Sequence, residues 1–219
     1  MTARKNKASH AEICTKPFAS GTFRDVYEGR YTSGDRRGER CVCKVLKRGP
    51  VFDEIYFRDD IRAVDVAIKI AAMFDRKKIR VNKPSVWRCE SGQRELVEPW
   101  IHNYEKFNSN TGWNSTVTSS WHLKMQALSH FSFHASGGEL LLCDLQGGIY
   151  KHGVVLTDPV VMSRSRSFGL TDLGPDGIRA FFDHHVCNCY CRHWLKPKRR
   201  IAATPPEQRT IIRPPICDE

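Results

Sequence analysis

The chain has 219 residues, 40% hydrophobic and 27% charged, which is enough apolar material for one large domain or two small lobes and excludes wholesale disorder. Its formal net charge of +11 favours an anionic partner, and charge alone leaves open nucleic acid, a membrane surface, nucleotide phosphates or an acidic peptide. The best apolar stretch, Val64 to Phe74, is broken by Asp65 and Lys69, so no membrane span is expected.

At the amino end, Arg4, Lys5 and Lys7 are not followed by the apolar block of a secretory signal, and a cytoplasmic location is expected. In that reducing compartment the nine cysteines read as buried thiols or metal ligands rather than a disulfide framework. Residues 1–13 read as a flexible tail. Arg24 to Tyr31 and Arg40 to Leu46 alternate as strands around the turn Ser33-Gly34-Asp35, a hairpin. Ile61, Val64, Ile68, Ala71 and Phe74 recur at helical spacing, which predicts a helix over Asp53 to Asp75 packed on that sheet. Ser85 to Arg88 and Glu95 to Trp100 read as further strands. The polar run Lys106 to Gly112 reads as a lobe boundary, giving lobes 14–112 and 113–197.

Beyond it come a helix around Val117 to Phe133, a strand Glu139 to Leu145, a short strand near Gly153 to Leu156 and a helix starting near Pro175. Residues 198–219, with Pro205, Pro206, Pro214 and Pro215, read as a proline-rich tail. The basic run from Lys196 to Arg200 is a solvated tail or a nuclear-targeting segment. Strands and helices without strict alternation indicate an α+β fold.

Several positions carry chemistry. In Cys41-Val42-Cys43-Lys44-Val45-Leu46, a period of two puts Lys44 with Val42 and Leu46 while Cys41, Cys43 and Val45 fill the other face. Either Lys44 is buried and needs an anion, or the strand is an edge from which the lysine snorkels. Phe18 to Arg24 is a small-residue turn at Gly21, readable as a plain hairpin turn or as a phosphate cover with Arg24 as a clamp. In Leu140 to Gly148, alternation sets Leu140, Leu142, Asp144 and Gln146 on one face, ending in a carboxylate and an amide before a double glycine. Asp144 suits a hydroxyl proton or a cation, and the Gln146 carbonyl suits Mg²⁺. Asp158, before Pro159, is a second carboxylate or a turn cap. His185-Val186-Cys187-Asn188-Cys189-Tyr190-Cys191 suggests zinc or buried thiols. Helical spacing pairs Cys187 with Cys191 and leaves a fourth ligand to come from elsewhere.

As a set, Cys143-Asp144-Leu145-Gln146-Gly147, Leu156-Thr157-Asp158-Pro159, Phe168 to Ile178 and His185-x-Cys187-Asn188-x-x-Cys191 resemble the carboxyl half of the alpha-kinases. Phe18 to Arg24, Val42-Cys43-Lys44, Val97 to Ile101 and Phe107-Asn108-Ser109-Asn110 are similar to the family's amino-half motifs in the same order. The resemblance covers about residues 14 to 197, and Gly147 to Thr157 is a few residues longer than is usual in the family.

It implies a two-lobed kinase fold with a zinc-stabilised carboxyl lobe and ATP in the cleft. Lys44, Gly21 and Arg24 then meet the phosphates, Glu98 is the hinge acid near adenine, and Asp144 is catalytic. Gln146 and Asp158 hold magnesium, and the loop from Gly169 to Gly177, with Asp172 at its polar position, binds nucleotide and peptide. His130, His185, Cys187 and Cys191 hold zinc, with Cys189 left over. The expected function is a Ser/Thr protein kinase acting on a substrate with basic residues near its acceptor, with ATP and neither membrane nor nucleic acid as partner. Two other readings are a catalytically degenerate pseudokinase and a basic zinc-stabilised nucleic-acid-binding module.

Overall fold

Alternation at the amino end builds an antiparallel sheet. The computed structural model describes residues 8–47, 53–89 and 92–198; Arg4, Lys5, Lys7 and the proline-rich stretch from Arg199 lie outside the described residues. Strands β1 (Ala11–Ile13), β2 (Ala19–Ser20), β3 (Arg24–Tyr31) and β4 (Arg40–Leu46) precede the helix α1 (Asp53–Asp75). After β5 (Ile79–Val81), strands β6 (Ser85–Arg88) and β7 (Arg94–Pro99) return to the first sheet, whose order is β1-β3-β4-β7-β6 with β2 also on β3. Cys41, Cys43 and Val45 face a small core with Tyr31, Val97 and Trp87, whereas Val42 and Lys44 line the opposite face, as the period of two requires. Ala11 to Ile13, expected within a flexible tail, instead pair with Gly29 to Tyr31.

The second half is built from β8 (Tyr104–Lys106), α2 (Ser120–Ala135), β9 (Leu140–Cys143), β10 (Gln146–Tyr150), β11 (Gly153–Thr157), β12 (Val160–Ser163) and α3 (Pro175–His184). Its four-stranded sheet runs β5-β11-β10-β8, and β12 pairs separately with β9. Ser119 caps α2 by accepting from the His122 amide.

Two expectations are corrected here. Helix α1 does not lay its apolar face on the first sheet, which it meets through the Arg24–Asp60 pair: its Ala63, Ala67, Ile70 and Ala71 enter one core with Phe107, Met125, Leu128, Leu142 and Leu156 of the second half. The first sheet offers no apolar face to a helix, since one face is closed by its own aromatics and the other is the ceiling of a cleft. Small side chains on α1 let it approach the second sheet instead. Nor is Lys106 to Gly112 a boundary. Phe107 and Asn108 are fully buried, with Asn108 Nδ2 donating to Ser129 Oγ at 3.0 Å and its Oδ1 accepting from the Leu145 amide at 2.9 Å. The crossing between sheets is the short segment Trp100 to Asn103, after β7 and before β8. Residues 53–81 therefore belong to the second unit, and the division 14–112 and 113–197 does not hold.

Candidate active site and metal centre

Strand pairing determines where the cleft forms. Beneath β3 and β4 lies a cavity of about 320 Å³, lined by apolar Phe18, Ala19, Val26, Val42, Pro99, Trp100 and Ile101, with Lys44, Glu98, Tyr104, Thr157 and Asp158 supplying polar atoms. That is the pattern of a small-ligand site: apolar walls with a few convergent polar groups.

Lys44 is only 5% exposed. Its ammonium donates to Glu98 Oε1 and, at 2.5 Å, to Asp158 Oδ2, and the Thr157 hydroxyl donates to Glu98 Oε2 at 2.7 Å. Burial works to lower the Lys44 pKa, but the charges of Asp158 and Glu98 outweigh it and hold the amine protonated. The buried-ammonium reading of the sequence is therefore the one observed. Glu98 sits at the hinge end of β7, yet its carboxylate turns to Lys44 and Thr157.

Asp144 is reached differently from the alternation read in the sequence. Strand β9 stops at Cys143, and Asp144 adopts a left-handed backbone with φ +54°. The next residue, Leu145, is pinned on both sides, its carbonyl accepting from the Phe107 amide at 2.8 Å and its amide donating to Asn108. Asp144 and Gln146 nevertheless converge, with Gln146 Nε2 donating to Asp144 Oδ2 at 3.2 Å. Lys106 Nζ forms an ion pair with Oδ1 at 2.9 Å, while Oδ1 is buried without an aligned hydrogen-bond donor. Burial raises the Asp144 pKa, and Lys106 opposes that rise.

Gly147 to Thr157 forms the β10–β11 hairpin. Its register sets Gln146 opposite Thr157, the residue before Asp158. Asp158 is held at φ +46° ahead of Pro159. Oxygen donors of this kind fit magnesium: a Gln carbonyl and a carboxylate bordering the cleft.

Three expected ligands are placed otherwise. The Gly21 amide closes its own turn by donating to the Arg24 carbonyl at 2.8 Å, so it is not offered to a phosphate. Arg24 pairs with Asp60 of α1 and lines a neighbouring niche with Phe23, Leu46 and Gly169. Asp172 is buried, and its carboxylate accepts from Ser163 N, Ser163 Oγ, Phe168 N and Gly174 N. Those four donors occupy its lone pairs, so Asp172 organises the loop and has none left for a ligand. Reading the sequence missed Lys106, Thr157 and Asp60. Lys106 and Thr157 stand in recognised motifs beside Phe107 and Asp158, but only the register Lys106↔Gln146↔Thr157 brings them to the site.

At the other end of α2, His130, His185, Cys187 and Cys191 offer ligand atoms all within 4.8 Å of one another. His130 Nδ1 lies 3.1 Å from His185 Nε2 and 3.7 Å from Cys187 Sγ, and Cys191 Sγ lies 3.6 Å from His185 Nε2. Ligands on a tetrahedral zinc with arms of about 2.0 to 2.3 Å stand about 3.3 to 3.8 Å apart, so the group fits that ion. His130 Nε2 faces the Leu195 carbonyl at 2.9 Å, which fixes Nδ1 as the free nitrogen. Burial lowers the His185 pKa to about 4, leaving a neutral imidazole able to coordinate. Cys189 is exposed and outside the group.

Residues 19–191 match the family model described as the alpha-kinase family. The chain belongs to the alpha-kinase family. It is 30% identical over 208 residues to Alpha-protein kinase 1 of Dictyostelium discoideum, across 91% of this chain and 15% of that protein. It is 28% identical over 217 residues to human eukaryotic elongation factor 2 kinase, across 87% of this chain and 28% of that protein. The alpha-kinase chain thus spans well under half the length of these curated relatives. Its fold matches an alpha kinase from Entamoeba histolytica with a TM-score of 0.73 at 24% identity, covering 86% of this chain and 80% of the other. The alpha-kinase domain of myosin heavy chain kinase A, solved with AMP, matches with a TM-score of 0.70 at 25% identity, covering 83% and 88%. The expected mixed helix and sheet fold of the family is borne out. Among the described residues no helix is long and apolar enough to cross a membrane.

Proposed function

We propose that this chain is an ATP-dependent protein kinase that transfers the γ-phosphate to a Ser or Thr hydroxyl of a protein substrate, with magnesium as cofactor and zinc as a structural ion. One observation carries this reading: Lys44 from the ceiling meets Asp158 from the floor across an apolar cavity. The ATP, ADP and AMP complexes of kinase-family domains lend support from outside the chain.

The apolar walls suit a base, and the polar end suits phosphates. Lys44, already protonated, turns from its two carboxylates toward phosphate oxygens when a triphosphate enters. Gln146 and Asp158 would hold magnesium, whose charge offsets negative charge on the phosphates during transfer. The Asp144 carboxylate, paired with Lys106 and accepting from Gln146, would orient the acceptor hydroxyl and take its proton as the oxygen bonds to phosphorus and the bond to the ADP oxygen breaks. Lys106 keeps Asp144 ionised for that step. Zinc on His130, His185, Cys187 and Cys191 would join α2 to the segment after α3, a structural task.

The substrate we infer carries basic residues near its acceptor, since Asp158 borders the cleft and Asp59 and Asp60 line the neighbouring niche of a chain whose net charge is +11. Incubation with ATP, Mg²⁺ and a peptide holding one Thr and one Ser among lysines, followed by mapping of the phosphate, tests the proposal. Phosphate on a hydroxyl residue is the expected outcome. Salt-sensitive nucleic-acid binding without any transfer would favour the basic zinc module instead.

A further inference from the structure

The hinge between the two sheets is held from behind by a strand end that the transfer chemistry does not use. Trp100, Ile101 and Tyr104 wall the cleft on that side. Strand β10 runs behind them, so close that a Cβ added to Gly148 would stand 2.2 Å from the His102 carbonyl oxygen and 2.7 Å from Ile101 Cγ2. The His102 amide donates to the Tyr150 hydroxyl at 3.0 Å, and Asn103 Nδ2 donates to the Ile149 carbonyl at 3.5 Å. Asn103 has φ +53°, so the chain turns sharply as it leaves the hinge for β8. Strand β10 thus carries Gln146 at its cleft end and this brace at its other end, where Tyr150 pairs with Gly153.

We propose that Tyr150 is a positioning residue for the nucleotide: through the His102 amide it fixes the hinge wall against which the base lies. This inference rests on the kinase reading. A hinge segment already pinned loses its conformational freedom on folding rather than on binding, which favours the ligand that packs on it. The brace touches only the base side. The phosphate side depends on Lys44, and its geometry is set by other contacts.

Competition against ATP in the transfer reaction separates the two sides, with adenosine as one probe and tripolyphosphate as the other. Tyr150→Phe removes the hydroxyl acceptor and keeps the ring. The expected result is an adenosine inhibition constant raised about three- to tenfold, the scale of one lost hydrogen bond, with the tripolyphosphate constant and kcat unchanged. Gly148→Ala, which drives a methyl group into the His102 carbonyl, should give the same split with a larger rise for adenosine. Parallel weakening of both probes, or no change in either, in a variant that still transfers phosphate overturns the role of Tyr150 and reduces it to a fold contact. If the wild-type protein neither transfers phosphate nor binds adenosine, the kinase reading fails, and the proposal fails with it.

Discussion

Lys44 is a charge that burial alone would neutralise, and two carboxylates keep it ionised. Replacing it with methionine removes the cation and leaves Glu98, which is 3% exposed, without its counter-charge. Lys44→Met should therefore abolish ATP binding and cost about 3 kcal/mol of stability. Lys44→Met with Glu98→Gln should recover most of that stability in a denaturant titration but none of the binding; a double variant as unstable as the single one contradicts the pairing. Asp144 gives a prediction in pH. Burial raises its pKa and Lys106 pulls it back, so removing the lysine raises it further. If the carboxylate is the reactive form, activity falls as pH drops through that pKa. Lys106→Met should therefore shift the acid limb of the pH–rate profile to higher pH, and an unmoved limb would show that Lys106 does not act on Asp144. At this scale alternation in Cys41 to Leu46 marked Lys44 as a lysine on an apolar face but left burial and snorkelling both open, and pairing of β4 on both sides by β3 and β7 decides for burial. Gly21, Arg24 and Asp172 were not legible, because whether an N–H or a carboxylate is free depends on partners distant in the fold, such as Asp60 for Arg24.

Among the elements, the β10–β11 hairpin and the ligand cluster at α2 do the positioning. The hairpin returns Thr157 opposite Gln146, so Asp158 follows directly on the residue paired with Gln146. The cluster joins His130 of α2 to residues beyond α3, and the rings of Phe182 and Trp194 pack edge-on against His130. Metal analysis should find one zinc per chain, and a chelator or His130→Ala should lower the melting temperature, with added zinc restoring only the chelated wild type. A zinc-free protein whose melting is indifferent to chelator would contradict the site. The boundaries of β3, β4, β6 and α1 follow from periodicity and turn residues and were readable in advance. Strands β5, β8 and β12 were not, since three or four residues paired to distant partners leave no periodic signal of their own.

At the scale of the whole molecule, the chain visits the second unit with α1 and β5, returns to the first sheet with β6 and β7, and then crosses for good at Trp100 to Asn103. The sequence order of the motifs hid this, because the buried face of α1 carries small residues that fit either sheet and only the cleft on the first sheet excludes it. A fragment of residues 104–198 lacks Ala63, Ala67, Ile70, Ala71 and Ile79 of the shared core and should show no cooperative melting transition. A sharp transition in that fragment would restore the boundary near Gly112. What this discontinuous arrangement produces is one cleft lined by Lys44 and Glu98 of the first sheet and by Thr157 and Asp158 of the second unit. Labelled ATP and Mg²⁺, incubated with wild type and Asp144→Ala side by side on a basic Ser/Thr peptide, tests it most directly. Label should reach the peptide with wild type and fall by at least about a hundredfold with the variant, at equal zinc content and equal melting temperature. Equal labelling by the two proteins would contradict the account.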